Sequence, residues 1–398
     1  MNTINTEQDY WLTIEPYVYI HFVNSSMLLY NTLDATCVES KNPTIVQLVQ
    51  KLLEKQNCGV CLLSTEDLKD KDILHFVIEI RQKFIGDIIP VKFSDEKPIQ
   101  LIPFLNFQQD KNKLSNQPGI SIGENIMTLL QEVNFIFKKD VELSIGLIDK
   151  FLGEARVVPS INLHGCIWDY PSLPQLLQSL HKVAGNKTVI APYQKIDVDK
   201  ILSANFDDSY TFNVHVNFPI NESAWDSLIQ LISLDKWAIK VIFEIEQDEH
   251  LIEIEEIINK YEIKNYQLLP VYNNHNIKFF EENIFLTKED IFATPMSLKE
   301  IYAHQTLNTY NFGKLYVNPD GSVRAERDGK EIGNIGKDTV KEMMLQELSN
   351  GSSWLKIRDE QPCSECLYQW LCPSPSGYEI VIGKPNLCHI QSSNNYEV

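Results

Sequence analysis

Four of the eight cysteines in this chain lie close together near its C-terminus. Cys363 and Cys366 are separated by two residues, and Cys372 and Cys388 follow them. This spacing lets one turn present the first two sulfurs to the same metal, while the later cysteines close the site from loops. Thiolates are the ligands that soft metal centres require. The residue types and their spacing therefore predict a metal centre held by these four side chains.

Spacing alone leaves more than one identity open for this centre. Four thiolates suit a closed tetrahedral zinc site, and they equally suit an iron–sulfur cluster. A pair of disulfides is the weaker alternative, because nothing else in the chain indicates an oxidising compartment. Zinc and iron–sulfur stay evenly matched at this point.

The same segment carries a family resemblance. The stretches 363–377 and 385–389 resemble the SPASM domain, the C-terminal extension of peptide-modifying radical SAM enzymes. That domain typically holds two auxiliary 4Fe–4S clusters. The resemblance implies that one of these, the second cluster, would be bound here by the full ligand set, which is Cys363, Cys366, Cys372 and Cys388.

The other cluster of that family lacks its ligands in this chain. Ser376 stands where the fourth core cysteine of the family would be, and the upstream segment 317–326 contains no cysteine. The resemblance therefore implies a single 4Fe–4S cluster, with zinc as the alternative metal.

Composition limits the class of protein. The net charge of −19 argues against sequence-independent binding to nucleic acid, which requires a basic surface. A hydrophobic fraction of 43% with mixed charges is typical of a globular chain that is not disordered. Residues 1–9 are polar and acidic, unlike a signal peptide, and no apolar run would span a bilayer. We therefore expect no membrane partner and a cytoplasmic location, where metal thiolates persist.

Residues 1–90 are predicted to form a first domain of small strands and helices. The predicted elements are strands at 18–23, 27–32 and 37–40, a helix from Pro43, a strand at 59–63 and a helical region at 68–84. This order resembles the PqqD-like winged helix, the recognition element that captures leader peptides in the maturation of ribosomally synthesised peptides (RiPPs). The family adds the leader as a strand beside the third strand, against the last helix. The resemblance implies a leader-binding edge and wall formed by Cys37, Val38, Glu39, Ser40, Ile73, Val77 and Ile80.

Two simpler interpretations apply to this first domain. It could be a structural cap without ligand, since winged-helix patterns are weak in sequence. The Cys58 and Cys61 pair has metal-like spacing but no second pair nearby, so two buried small hydrophobic residues are favoured.

Residues 91–142 are predicted to be a linker or docking segment, because prolines and amides interrupt its periodicity. Within it, residues 123–137 are predicted to form an amphipathic helix that leads into the next domain.

Residues 143–312 show apolar strands alternating with helices. This alternation predicts parallel strands covered by helices, hence an α/β barrel or partial barrel. The predicted strands are 157–163, 188–191, 211–217, 239–245 and 267–271, with helices at 173–183, 225–234 and 252–261.

A partial (β/α)6 barrel before a SPASM domain is the radical SAM arrangement. There, the first strand leads into a Cys-x3-Cys-x2-Cys loop that holds the cluster responsible for cleaving SAM. The matching stretch 162–170 has only Cys166, and the glycine-rich SAM motif is missing after 188–191. We therefore expect no SAM binding or cleavage. His164 and Cys166 are predicted to be a packed pair at a strand end rather than a metal site.

The stretches 10–17, 162–165, 279–290, 368–373 and 385–389 resemble the pseudo-radical-SAM/SPASM proteins of a Bacteroidales RiPP maturation system, and this resemblance covers nearly the whole chain. The resemblance implies an α/β chain with a PqqD-like winged helix, a degenerate partial (β/α)6 radical SAM-like barrel and a SPASM domain at 313–398. It also implies a non-catalytic partner that binds the precursor leader and a catalytic radical SAM maturase. Two alternatives are an enzyme that uses the barrel pocket without SAM cleavage, and an electron carrier to the maturase.

Overall fold

The structure is a computed structural model that describes residues 4–100, 125–138, 143–350 and 353–390. The N-terminal part contains two small antiparallel sheets. One sheet has the strand order β5-β1-β6 and the other has the order β2-β3-β4. The strands are β1 (Tyr10–Ile14), β2 (Val18–Val23), β3 (Ser26–Asn31), β4 (Cys37–Ser40), β5 (Val60–Leu63) and β6 (Gly86–Pro90). The predicted strands near 18–40 and 59–63 are present, whereas β1 and β6 were not predicted.

Two helices pack on these sheets, α1 (Pro43–Leu53) and α2 (Lys71–Gln82). Each begins at a side-chain cap: Asn42 accepts from the amide of Thr44, and Asp70 accepts from two amides of the first turn of α2. Their apolar faces are buried against one face of both sheets in a single hydrophobic core. Capping explains where the helices begin, and burial of the amphipathic face stabilises them.

The largest element is a nine-stranded sheet in the order β12-β11-β10-β9-β8-β7-β13-β14-β15. Its six strands β7 to β12 are parallel neighbours in chain order. They are β7 (Glu132–Ile136), β8 (Ser160–His164), β9 (Asn186–Pro192), β10 (Tyr210–Val216), β11 (Ala238–Ile245) and β12 (Tyr266–Pro270). The intervening helices are α3 (Ile145–Glu154), α4 (Leu173–His181), α5 (Val198–Ser203), α6 (Glu222–Ser233) and α7 (Asp248–Tyr261). The predicted alternation of parallel strands and helices is confirmed.

The two faces of this sheet differ in polarity. Side chains such as Phe135, Leu163 and Phe243 are fully buried in the core with the helices. The alternate positions, such as Asn134 and Asn162, point to the opposite face. The sheet thus has one apolar face under its helices and one polar face.

The predicted amphipathic helix at 123–137 is wrong in the residues that the structure describes. Ile126–Leu129 is a short 3₁₀ turn, and β7 follows as a central strand paired with β8 and β13. Val133 and Phe135 alternate with Asn134, which is the period of a strand, and the pairing on both edges decides the outcome. The first strand of the large sheet therefore lies inside the segment that we predicted to be a linker.

The C-terminal part extends the same sheet. Strand β13 (Lys314–Val317) lies parallel to β7, and β14 (Ser322–Arg324) and β15 (Glu331–Asn334) continue it in antiparallel order. The helices of this part are α8 (Ile277–Asn283), α9 (Lys288–Phe292), α10 (Leu298–Thr306), α11 (Val340–Asn350) and α12 (Gly377–Ile382). None of the helices within the described ranges is both long and apolar enough to cross a membrane. The sheet runs across the predicted boundaries at 142 and 312, and those boundaries stay predictions.

Candidate metal centre

The four C-terminal cysteines lie on irregular chain held by backbone hydrogen bonds. Cys363 starts a 3₁₀ turn, and the amide of Cys366 donates to the Cys363 carbonyl at 2.9 Å. Cys372 follows one further turn, where its amide donates to the Tyr368 carbonyl at 3.2 Å. Cys388 is brought back by a parallel bridge to Leu286. Turn geometry and one long-range bridge therefore bring together residues that are far apart in the chain.

All four cysteines line one small cavity of about 20 Å³. Cys363 and Cys366 are buried, and Cys372 and Cys388 are half-buried. The remaining lining residues are Leu286, Arg358, Gln369, Asn386, Leu387 and Ile390. The structure therefore brings the predicted ligand set to one place.

Two polar donors point at these sulfurs. The side-chain nitrogen Nδ2 of Asn386 lies 2.9 Å from the Cys388 sulfur, and Arg358 Nη1 lies 4.0 Å from the Cys363 sulfur. Donors of this kind stabilise negative charge on sulfur. Sequence reasoning missed both residues, because no spacing rule links them to the cysteines.

Burial and charge oppose each other at the thiols. Burial raises the pKa of the Cys372 thiol to about 12, the neighbouring cysteines add to the rise, and Arg358 opposes it. Burial also raises the pKa of Cys363, again against Arg358. These two groups are protonated thiols at neutral pH when no metal is bound. A metal that binds here must displace their protons.

The donor set fits a soft metal centre in its chemistry. Four sulfurs with no carboxylate between them are the ligands of zinc or iron–sulfur sites. Within the described residues, however, no three His, Cys, Asp or Glu side chains are grouped closely enough to hold a metal ion. The four cysteines share a cavity without being drawn together around a single point.

The cysteine segment packs directly on the N-terminal sheet β2-β3-β4. Tyr368 and Trp370 share a hydrophobic cluster with Tyr19 and Tyr30. His21 Nδ1 also lies 3.0 Å from the carbonyl oxygen of Leu367. One face of the small sheet therefore packs against α1 and α2, and the other packs against the segment that carries the cysteines.

One strand residue joins these two parts through charge. The Glu39 carboxylate on β4 lies 2.8 Å from Lys288 Nζ and accepts a hydrogen bond from the Tyr368 hydroxyl at 2.8 Å. Lys288 also lies over the Tyr368 ring, 5.4 Å from its centroid. Burial, followed by the bond to Glu39, raises the pKa of Tyr368 to about 12. Glu39 is thus fixed between the strand and the segment that carries the cysteines.

The predicted leader-binding residues occupy two different environments. Strand β4 is an edge strand among the described residues, paired only with β3. Val38, Ile73, Val77 and Ile80 are all buried in the N-terminal core, so they do not line an open groove. Peptide binding at this edge stays a prediction, and any specificity pocket must come from other side chains.

The backbone groups of β4 alternate between β3 and the open edge. The amide of Asn31 donates to the Thr36 carbonyl at 2.8 Å, so the Thr36 carbonyl is directed at β3. By the alternation of antiparallel ladders, Val38 then bonds to β3 while Cys37 and Glu39 point outward. Lys83 Nζ donates a hydrogen bond to the Cys37 carbonyl at 2.8 Å, so this outward carbonyl already has a partner. The amides of Cys37 and Glu39 are the donors directed at the open edge.

The end of β8 holds the single cysteine of the barrel-like part. Cys166 is half-buried, and the groups that influence its charge are Asp169, Lys195 and Lys200 rather than another cysteine. His164 Nε2 lies 2.8 Å from the Asn134 side-chain oxygen. Burial, with smaller effects from Arg327 and His215, lowers the pKa of His164 to about 4, so this imidazole is neutral at pH 7.

The polar face of the large sheet contains further pairs that sequence reasoning missed. Asn162 donates to the Asn134 side-chain oxygen at 3.0 Å, and His215 Nδ1 lies 2.9 Å from a Glu244 oxygen. Strict alternation of polar and apolar residues in β7, β8 and β10 was the available signal.

A separate cavity of about 830 Å³ lies near the carboxyl end of β12 and shares Leu286, Arg358 and Leu387 with the cysteine cavity.

The remaining cysteine pair is only partly as predicted. Cys61 is 2% exposed in β5, as expected for a small hydrophobic residue. Cys58 is exposed, so its predicted burial is wrong. Cys58 adopts a left-handed backbone conformation at the end of a 3₁₀ turn, with a φ of 50°, which directs it away from the core.

No family model and no curated protein matches this chain. Solved structures of SuiB from Streptococcus suis align over most of it. The S-adenosylmethionine complex of SuiB has 11% identity and a TM-score of 0.39, covering 96% of this chain and 99% of SuiB. The complex of SuiB with its precursor peptide SuiA has 10% identity and a TM-score of 0.41, covering 95% and 98%. The alignment is extensive in length and low in both identity and structural score.

Proposed function

We propose that this chain is a non-catalytic partner in the maturation of a ribosomally synthesised peptide. It binds the leader of the precursor and a catalytic radical SAM maturase, and it holds one 4Fe–4S cluster through Cys363, Cys366, Cys372 and Cys388. The observation that carries this proposal is the convergence of these four cysteines on one cavity. The cluster would supply a one-electron site or a structural crosslink at this position.

The non-catalytic role is supported by the contrast in ligand number. SAM cleavage needs three cysteines that leave one iron open for the substrate, and the stretch 162–170 supplies only Cys166. The four C-terminal cysteines can fill every position of a cluster, which leaves no open iron for SAM. Chemistry depends on such a site rather than on the fold.

The leader-binding role is supported by the open edge of β4. An added peptide strand would bond to the outward amides of Cys37 and Glu39. Because Glu39 also contacts Lys288 and Tyr368, a peptide at this edge would lie next to the cysteine segment. Holding the precursor there raises its local concentration for a maturase bound to the same chain.

Metal analysis of the protein purified without oxygen tests the proposal. We expect about four irons and four sulfides per chain, with a broad absorption band at about 400 nm. Stoichiometric zinc without iron after anaerobic reconstitution would replace the cluster with a structural zinc site. The protein should also copurify with a short precursor encoded beside it and with the radical SAM enzyme of that system.

The polar sheet face favours a second candidate, an enzyme that acts without SAM. Neutral His164 and the pair of His215 with Glu244 are residue types that transfer protons in active sites. In this case the double change His164→Gln and His215→Gln should abolish modification of the precursor by the purified chain. Under our first proposal the chain alone leaves the precursor mass unchanged, with or without these substitutions.

A further inference from the structure

Among the residues that the structure describes, Arg358 is the one charged side chain in the wall of the cysteine cavity. It is 8% exposed, and it also lines two larger cavities, of about 830 and 560 Å³. A buried guanidinium keeps its charge, because its pKa is too high for loss of a proton. Arg358 therefore places a permanent positive charge beside the thiols.

Two contacts fix the position of this guanidinium, and a third fixes the backbone of Arg358. Its Nε donates to the Pro373 carbonyl at 2.5 Å, and its Nη2 donates to Glu379 Oε1 at 2.7 Å. Gln369 in turn donates from its side chain to the backbone carbonyl of Arg358. Pro373 directly follows Cys372 and Gln369 lies between Cys366 and Cys372, so Arg358 is tied to the segment that carries these cysteines.

Glu379 is itself held by a helix cap. Its second oxygen, Oε2, accepts from the amide of Ser376 at 2.9 Å and from the Ser376 hydroxyl at 2.5 Å. Ser376 is the N-cap of α12, and with Glu379 it forms a capping box. Ser376 occupies the position where the SPASM resemblance expects a cysteine. A cap that directs Arg358 is thus found where a cluster ligand would otherwise stand.

The energetics argue against a purely stabilising pair. Arg358 and Glu379 are 8% and 7% exposed at their side chains, and desolvation offsets much of the attraction between buried charges. The other terminal nitrogen of the guanidinium, Nη1, is directed toward the Cys363 sulfur at 4.0 Å. At low local dielectric, one charge at this range strongly affects a nearby anionic centre.

We propose that Arg358 is a positioning residue that balances the negative charge of the thiolate site and raises the reduction potential of its cluster. This rests on the proposed function, because it requires a redox-active cluster. One-electron reduction by dithionite adds one negative charge to the cluster and breaks no bond, so a nearby cation favours the reduced form. Glu379 opposes this effect through its own charge, and Ser376 holds it in place.

Redox titration of the full-length protein, followed by electron paramagnetic resonance, tests the proposal with matched variants. Arg358→Gln removes the cation, Arg358→Lys retains it, and Glu379→Gln removes the anion while a glutamine keeps the helix cap. We expect the midpoint potential to fall in Arg358→Gln, to rise in Glu379→Gln, and to stay nearest the wild-type value in Arg358→Lys. A merely structural role would not shift the two charge-removing variants in opposite directions.

Iron content measured on the same samples separates the possible failures. Equal potentials in all variants at full iron content, or shifts of one sign, would overturn the role of Arg358 and leave the cluster itself intact. If Arg358→Gln fails to load iron, the other two variants still test the proposal. The midpoint potential should then rise in Glu379→Gln and stay near the wild-type value in Arg358→Lys. If the wild-type protein holds zinc, the proposed cluster fails, and the effect of Arg358 on a reduction potential fails with it, because zinc is not redox-active. A wild-type protein that holds neither metal overturns both proposals.

Discussion

The C-terminal cysteine segment and the end of β8 use cysteine in opposite surroundings. In the segment, four cysteines line one cavity, with Arg358 and Asn386 directed at them. At the end of β8, the charged groups that act on Cys166 are Asp169, Lys195 and Lys200, with no second cysteine among the described residues that act on it, and His164 Nε2 lies against the Asn134 side-chain oxygen. Each region has a cysteine at or next to the start of a 3₁₀ turn, so the two regions differ in how many cysteines line one cavity. The following experiments can break or sharpen this contrast.

The largest effect is expected at the four cysteines. Changing Cys363, Cys366, Cys372 or Cys388 to alanine should abolish iron binding, because each would leave a buried cluster one ligand short. Iron and sulfide assays on anaerobically purified variants measure this. Cys58→Ala and Cys61→Ala are the matched controls and should keep the full iron content. Retention of iron in all four single variants would show that the segment is not the metal site.

The next largest effect is a loss of folding stability when the backbone at the end of β8 is changed. Gly165 has a φ of +111°, and a Cβ added there would lie 2.6 Å from the carbonyl oxygen of Phe137. Gly165→Ala should therefore lower the free energy of unfolding by about 1–3 kcal/mol. Chemical denaturation measures this, with Gly153→Ala in α3 as control, since a Cβ there meets nothing within 4 Å. Equal stability of the two variants would mean that this turn is not constrained as described.

A smaller effect is expected at the open edge of β4. Cys37→Pro removes an outward amide without removing a bond to β3, so leader binding should weaken about fivefold, the value of one backbone hydrogen bond. Calorimetric titration of the full-length chain with the leader peptide measures this. Cys37→Ala, which keeps the amide, should bind as the wild type does. If both variants bind equally, the leader does not pair with this edge, and a structural role for the N-terminal domain is favoured.

The smallest effect is expected at Cys166. Cys166→Ala should leave the iron content unchanged, and neither the variant nor the wild type should produce 5′-deoxyadenosine from SAM with dithionite. The reason is that one cysteine cannot hold a cluster with an open iron. Chromatography of the nucleoside products measures this. SAM cleavage that disappears in Cys166→Ala would place a working cluster at the end of β8 and remove the contrast between the two regions.

Local patterns predicted most of the large sheet. Apolar runs bounded by polar turns indicated β8 to β12, and the helices between them followed from a period of 3.6 residues. The strand β7 was missed, because its apolar residues lie beside a 3₁₀ turn whose side chains mimic a helical pattern. Only its pairing with β8 and β13 on either edge makes it a strand.

The candidate site likewise has features that the sequence predicted and features that it did not. Cysteine spacing indicated the ligand set, because short spacings restrict which sulfurs can meet. The open edge at 37–40 was also predicted, but burial of Ile73, Val77 and Ile80 behind it was not. An amphipathic helix pattern shows which face is apolar without showing whether a core or a groove receives it.

By itself, the sequence determined the cysteine set, the alternation of strands and helices, and the absence of a three-cysteine loop after β8. These features depend on residue types and short spacings, which a linear chain displays directly. Only the tertiary structure decided that Arg358, Glu379 and Ser376 surround the cysteines, and that Glu39 reaches Tyr368 across 329 positions. Such contacts arise when separate segments pack together, and no local pattern encodes which distant charge will be buried beside which sulfur.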